Sequence, residues 1–464
     1  MEDMRKMRKM RKRSRVIYAM MCAALMMSGC SNDKGVNSDD AGKADMGSAV
    51  SEAGAADENG SLLAQQLGIP GSVQMDLPAD GTNLKKITLD DKDVIVPDRD
   101  RMYTKSYRMG ILTDETREEI VKSFLDESDG IYNYPEELFN EKDKDRESVE
   151  QFFEDNSGEK PDYSGEYFIG KIDGEPYVVR FMDTSWSIDE AVAVSRVCKD
   201  EVTDEMAAKQ ISSITYYDYN PDVLKEESTE QEDGTDEESA NSCGMNKEEA
   251  GKKAADDMAA WGFNDVVQTS ITDMYKAYEG DHFNVLEYDK DGYTVRFDAS
   301  VNDVTLYQPM TLSIDTIVNP DGEEGGLMDT SRYYSSERSY YTLSFNEDGL
   351  MDFYGYWPMR SDDDLHPVDH LITWDEAVDG LKKAIPDHFA GYKGYSEVKF
   401  NDVRLAYFRT KTGDKEYEII PVYVFAQMES WAEEDNAPDQ LLMIDARDGS
   451  EVDVRQDPAR QGIR

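Results

Sequence analysis

Cysteine, histidine and basic side chains are scarce in this chain, and each shortage removes a class of function. Four Cys in 464 residues cannot make the dense disulfide framework of a small secreted scaffold. His282, His366, His370 and His388 are the only four His, and no G-x-S-x-G elbow accompanies them, so no local motif builds a Ser-His-Asp site. Cys198 and Cys243 stand outside the local signatures of thiol proteases. Lys and Arg number 50 against 99 Asp and Glu, a formal net charge of -49. Nucleic-acid binding needs cations to neutralise phosphates, and the one basic stretch lies in the first residues, so that class is excluded. An anionic lipid surface repels such a chain for the same reason. Long apolar runs are also missing: none reaches the length of a membrane span. Hydrophobic residues at 39% still suffice for real cores, and the length suits two or three domains.

What is present begins at the N-terminus. Residues 4–13 read MRKMRKMRKR, Val16–Met27 is a short apolar run, and Ser28-Gly29-Cys30 follows. A basic region, an apolar region and small residues before a cut make a secretory signal peptide. Leu25-Met26-Met27-Ser28-Gly29-Cys30 resembles the lipobox of bacterial lipoproteins, with Met27 where the pattern has Leu. That resemblance implies that Cys30 becomes the first mature residue and carries the lipid, and two or more acyl chains anchor stably. Residues 31–62 are rich in Ser, Gly, Ala, Asp and Asn and nearly lack large apolar side chains, so they read as a disordered tether. In an exported protein Cys198 and Cys243 have two readings, a disulfide or two unpaired thiols.

Between the tether and the C-terminus, helix and strand patterns mix. Thr113 is placed to cap a helix running to about Ser128. Tyr167–Ile172 and Tyr177–Phe181 flank Asp173-Gly174, a hairpin signal. A capping-box spacing then recurs at Ser187/Glu190, Asn246/Glu249 and Thr373/Glu376, predicting three helix starts. Strand-like runs with Asp-Gly turns follow the second and third, at Asp291-Gly292, Asp348-Gly349 and Asp448-Gly449. The stretch 225–242 is a solvated acidic break. The fold class is α+β: two or three domains of capped helix plus antiparallel sheet. The expected boundaries are a signal peptide at 1–29, lipidated Cys and tether at 30–65, an N-terminal domain at 66–224, a linker at 225–243, a middle domain at 244–365 and a C-terminal domain at 366–464.

The last unit, about 371–455, resembles PepSY-like modules. The residues that carry this are Ile372-Thr373-Trp374-Asp375-Glu376-Ala377, the strand Ile420–Phe425, and the closing hairpin Leu442–Val452 with Asp445, Ala446, Gly449 and Glu451. A similar layout occurs in extracytoplasmic regulators of cell-wall two-component kinases. The whole arrangement is similar to a family of clostridial-type lipoproteins of unknown function, which implies no activity. The PepSY-like resemblance implies a binding or inhibitory module outside the membrane.

Candidate chemistry is thin. Asp362, Asp363, Asp364, His366, Asp369 and His370 could be drawn as metal ligands, but Pro367 between the two His favours an extended lead into the next helix. Glu287, Asp289, Asp291, Gly292 and Asp298 fall on an EF-hand frame with Glu and Asp exchanged at its ends and strand-like flanks, so a hairpin turn is expected instead. Paired carboxylates for glycoside hydrolysis cannot be picked out of 99 acids. Clustered aromatics have two readings, sheet packing or a binding face for a sugar or protein; the face nominated is Tyr354, Tyr356 and Trp357. No catalytic residue, metal ligand or cofactor is nominated. The sequence reads as a non-enzymatic, lipid-anchored protein on the outer face of a Gram-positive cytoplasmic membrane. Its expected partner is a membrane or wall protein. A solute- or glycan-binding lipoprotein and a carboxylate-dependent wall hydrolase are the alternatives.

Overall fold

The computed structural model describes residues 61–108, 113–140, 146–182, 191–197, 202–218, 241–280, 284–308, 340–356, 364–390, 396–413, 416–428 and 440–452. The signal peptide, Cys30, the tether before Ser61, most of the acidic linker, Ser187–Glu190, Cys198 and Trp357 lie outside them.

The end of the expected tether is already folded. The Ser61 hydroxyl accepts from the Ala64 N–H at 3.1 Å and starts α1 (Leu62–Leu67), which Gly68 ends in the left-handed conformation. Strands β1 (Val73–Leu77), β2 (Lys86–Asp91) and β3 (Tyr103–Arg108) follow.

Thr113 then caps α2 (Asp114–Phe124), which buries Ile120, Val121 and Phe124. After β4 (Tyr132–Asn133), α3 (Glu136–Asn140) and α4 (Arg146–Asp155) comes the expected hairpin of β5 (Tyr167–Ile172) and β6 (Glu175–Met182). Its turn residues Asp173 and Gly174 have φ 52° and 84°, the positive values a two-residue hairpin turn needs. Next are β7 (Ala191–Arg196), α5 (Asp204–Ala208) and β8 (Ser213–Tyr217). Asn246 and Glu249 form a complete capping box on α6 (Lys247–Ala260). It leads to β9 (Val266–Glu279), β10 (Val285–Val301), β11 (Val304–Thr305), β12 (Tyr340–Asn346) and β13 (Gly349–Tyr356). Last come β14 (His366–Pro367), α7 (Trp374–His388), β15 (Glu397–Phe400), β16 (Asp402–Gly413), β17 (Glu416–Gln427), β18 (Gln440–Asp445) and β19 (Glu451–Val452).

Among the described residues these strands make three sheets. A ten-stranded sheet runs β4-β5-β6-β7-β13-β12-β10-β9-β8, with β11 on β10. Its centre is the antiparallel pairing of β7 with β13, Asp352 opposite Ser195 and Tyr356 opposite Ala191. α2 and α6 cover one face together: Phe124 lies 4.7 Å from Trp261 and 5.0 Å from Phe353 between ring centroids. The α4 residues Val149 and Phe153 cover the other face at its β5–β6 end, against Ile169 and Val178.

The remaining two sheets share one core. β15 pairs with β2 in parallel, and β3 pairs with β17 beside β18. α7 and α1 bury their apolar faces in that core, with Leu381, Ile385, Phe389, Phe425 and Leu63 at or below 1% exposure. The linear domain division is therefore corrected. Residues 66–108 belong with the C-terminal strands in an outer body, and the expected N-terminal and middle domains merge into one inserted body around a single sheet.

Two local expectations also change. The Ser187/Glu190 pattern leads into strand β7, not a helix, because Ala191–Arg196 is paired on both sides, by β6 and β13. Asp291-Gly292 is no hairpin turn: β10 runs straight through it, with a bulge between Lys290 and Tyr293. Gly292 has φ 133°, and a Cβ there would collide with the Phe345 carbonyl oxygen. Asn241 closes the bulge, its Oδ1 accepting from Gly292 N–H at 3.0 Å and its Nδ2 donating to Gly292 O at 2.7 Å. Residues 241–243, assigned to the linker, are thus pinned to the sheet.

The bodies meet along the end of β10. Val301 lies in the outer core, and the Asn302-Asp303 turn (φ 50° and 58°) receives Arg99 Nε on the Asn302 carbonyl at 3.0 Å. Lys105, on β3, reaches Asp265 at 2.5 Å, and Tyr307 N–H donates to the Tyr407 carbonyl at 2.7 Å.

Candidate functional site

The residues that carry the PepSY-like resemblance converge in the outer body, where they brace α7 on the sheet. Ile372 N–H donates to Ala446 O at 2.8 Å, and the Tyr423 hydroxyl donates to Ile372 O at 3.0 Å. Burial pushes the Tyr423 phenol well above its ordinary pKa. Thr373 and Glu376 form a capping box, in which Thr373 N–H donates to Glu376 at 2.8 Å. The Thr373 backbone N–H and then its hydroxyl hold the Glu376 carboxyl below the usual range. Trp374 packs against Tyr423 and Phe425. Gly380 lets the helix approach the closing hairpin so closely that a Cβ would lie 2.8 Å from Gly449 O. Asp445 is 6% exposed and neutralised by Arg447, which also reaches Glu418 at 3.0 Å. His388, at the buried end of α7, meets Glu451 at 2.9 Å. Trp374, Tyr423, His388 and Asp445 face inward, while the Thr373–Glu376 box lies on the surface.

The nominated aromatic face is changed by burial. Tyr354 is 6% exposed and packs with Ala191 and Ala193, Tyr340 lying 6.2 Å away between ring centroids. It serves as core and offers no open ring. Tyr356 ends β13, and Trp357 falls outside the described residues. Cys243 is buried and carries no disulfide among the described residues; its candidate partner Cys198 lies outside them. His366 and His370 are exposed, and no group of three or more His, Cys, Asp or Glu is placed to hold a metal among the described residues.

One buried acid escaped sequence reasoning. Glu279 is 0% exposed and accepts hydrogen bonds from Ser213 at 3.0 Å, Thr215 at 2.9 Å and the Tyr217 hydroxyl. All three donors lie on one face of β8, so the carboxylate fastens that edge strand to β9.

An open concavity of about 540 Å³ lies on the polar face of the three-stranded sheet. Asp76 and Gln74 line it from β1, Lys86, Thr88 and Asp90 from β2, and Glu397 and Lys399 from β15. The ion pairs Lys86–Asp76 (3.6 Å) and Lys399–Asp90 (2.8 Å) run across it. Gln427, 8% exposed, closes one end, its Oε1 fixed by Lys399 N–H at 3.0 Å. The polar residues alternate with Leu77, Ile87, Leu89, Val398 and Phe400, which are buried. That period of two was the available signal for these strands. Nothing local said that β15 lies beside β2.

No protein-family model matches the chain, and no curated protein matches it. Two solved structures are similar. One is an uncharacterized protein from Eubacterium rectale, 11% identical, covering 83% of this chain and 94% of that one with a TM-score of 0.30. The other is the C-terminal domain of Bacillus megaterium YpeB, 12% identical, covering 69% of this chain and 96% of that one with a TM-score of 0.19.

Proposed function

We propose that the chain is a non-enzymatic binding or regulatory protein, tethered outside the cytoplasmic membrane by a lipid on Cys30 and acting on a membrane or wall partner. The observation that supports this most is the route of the chain. The first folded residues after the tether, α1 and β1–β3, share a core with the PepSY-like unit. The first described elements and that unit are therefore one packed piece, which a lipid on Cys30 would hold close to neighbours at the surface. The inserted body stands on it through Lys105–Asp265 and the Asn302-Asp303 turn.

Deleting 371–455 would be a poor test, because it strips β2 and β3 of their strand partners. A photocrosslinking amino acid placed singly at Asp80, at Lys92 and, on the inserted body, at Glu115 keeps the fold, since all three sites are exposed. Irradiation of native membranes followed by mass spectrometry should give one reproducible membrane or wall protein from the outer-body positions. Cys30→Ser should move the chain to the soluble fraction. Loss of neither membrane association nor crosslinks in Cys30→Ser would overturn the tether, and no specific partner from any position would overturn the binding role.

A further inference from the structure

The concavity on the three-stranded sheet is built to receive something polar that is not anionic. Each Lys has an acid within the face, at 3.6 Å for Lys86–Asp76 and 2.8 Å for Lys399–Asp90, and Glu397 stands as a third acid in the lining. A strongly anionic ligand would meet Glu397 and would have to break these pairs to reach a cation. The hydrogen-bonding groups beside the two pairs are what a ligand can use. The Gln427 amide is held by its oxygen on Lys399 N–H, which fixes the orientation that hydrogen-bond assignment would otherwise leave open. Its NH2 is thereby left as the donor end of a lining residue that is only 8% exposed. Thr88 presents a hydroxyl at the centre of the sheet, between Asp76 on β1 and Lys399 on β15. Gln74 and Glu397 add an amide and an acceptor-only carboxylate on opposite strands.

We infer that this concavity is a saccharide-binding site, taking a neutral glycan segment whose hydroxyl and acetamido groups bridge Gln74, Thr88, Glu397 and Gln427. A sugar hydroxyl both donates and accepts, so one ring can satisfy a carboxylate on one side and an amide NH2 on the other. About 540 Å³ lies within the range of small-ligand sites. The site deepens the binding role proposed above by naming a ligand class, and it rests on that reading only for its setting at the cell surface. It is separate from the Tyr354 face.

The test is calorimetric titration of the full chain in detergent with the β-1,4-linked trimer of N-acetylglucosamine. Saturable binding is expected, weakened about fivefold to tenfold by Thr88→Val and by Glu397→Gln, each removing one polar contact. Both positions lie on the solvent side of the sheet, so the fold is kept; Gln427→Leu should weaken binding at least as much. Glu115→Gln, on the inserted body, should change nothing. No saturable binding, or binding indifferent to both sheet-face variants, overturns the site. Crosslinking to a membrane partner would survive that result, so the two readings fail separately.

Discussion

In the inserted body, pairing strands follow one another: β5 with β6, β6 with β7, β9 with β10, β12 with β13. In the outer body early and late strands meet, so that Val403 N–H donates to the Asp91 carboxylate, 312 residues earlier, at 2.7 Å. Both bodies nevertheless lay a helix with a capping box on an antiparallel sheet. The helices differ in what they bury. α6 presents Met258 and three small residues, Ala250, Gly251 and Ala254, and at Gly251 its backbone comes close to Gln268 and Ile271 of β9. α7 presents the larger Trp374, Leu381, Ile385 and His388, with Gly380 alone at its close approach to the closing hairpin. The same layering thus arises from local hairpins in one case and from closure of the whole chain in the other. Locally paired sheets lose little loop entropy on forming, whereas the outer body must close a loop that contains the entire inserted body.

The sharpest break in this comparison is Phe425→Ala. Phe425 is 0% exposed and touches Trp374 and Phe400. Loss of about 3–5 kcal/mol is expected. Hydrogen exchange should show β2 and β3 losing protection together with β17, while β5–β7 keep theirs. Simultaneous loss everywhere would mean that the two bodies unfold as one unit. Asp265→Ala is expected to cost about 1–2 kcal/mol, because Lys105 keeps only 10% side-chain exposure and loses its carboxylate. Two calorimetric transitions should then draw apart. Thr373→Ala and Asn246→Ala should each cost about 1 kcal/mol, each lowering only its own body's transition.

The smallest effect depends on pH. The Glu376 carboxyl sits below its ordinary pKa because the Thr373 N–H and hydroxyl favour the charged form. A depressed carboxylate contributes stability above the unfolded value of about 4.3 and loses it as pH falls through the lower folded value. The stability difference between wild type and Glu376→Gln should shrink over that acidic interval. A difference constant with pH would mean that the carboxylate adds nothing beyond what an amide supplies.

Legibility in the sequence followed locality. Thr113, Asn246 and Thr373 cap helices as their spacing predicts, since a cap involves atoms three residues apart. Asp173-Gly174 turns as expected, yet Asp291-Gly292 does not, and the difference is Asn241, whose side chain occupies the Gly292 backbone groups from outside the strand. Ser187-Ile188-Asp189-Glu190 has the spacing of a helix start, but Val192 and Val194 are claimed by strands from both halves of the sheet. The PepSY-like residues were recognisable, but their work as a brace shows only when Ala446 and Ile372 are side by side. The concavity was hidden for the same reason: its walls are Thr88 and Lys399, adjacent across a parallel pairing that no local pattern announces.

The placement of β2 and β3 beside the last strands has a consequence for how the protein is made. Chains are synthesised from the N-terminus, at about 5–20 residues per second. The inserted body has all its strands by β13 and can complete its sheet without any later one. β2 and β3 emerge before the inserted body, yet their partners on β15 and β17 come after it. A prematurely terminated chain would therefore carry a finished inserted body and an unfinished outer one, with the apolar sides of β1 and β2 open to proteases and chaperones. Only an intact polypeptide buries them, so the fold itself marks complete copies for survival.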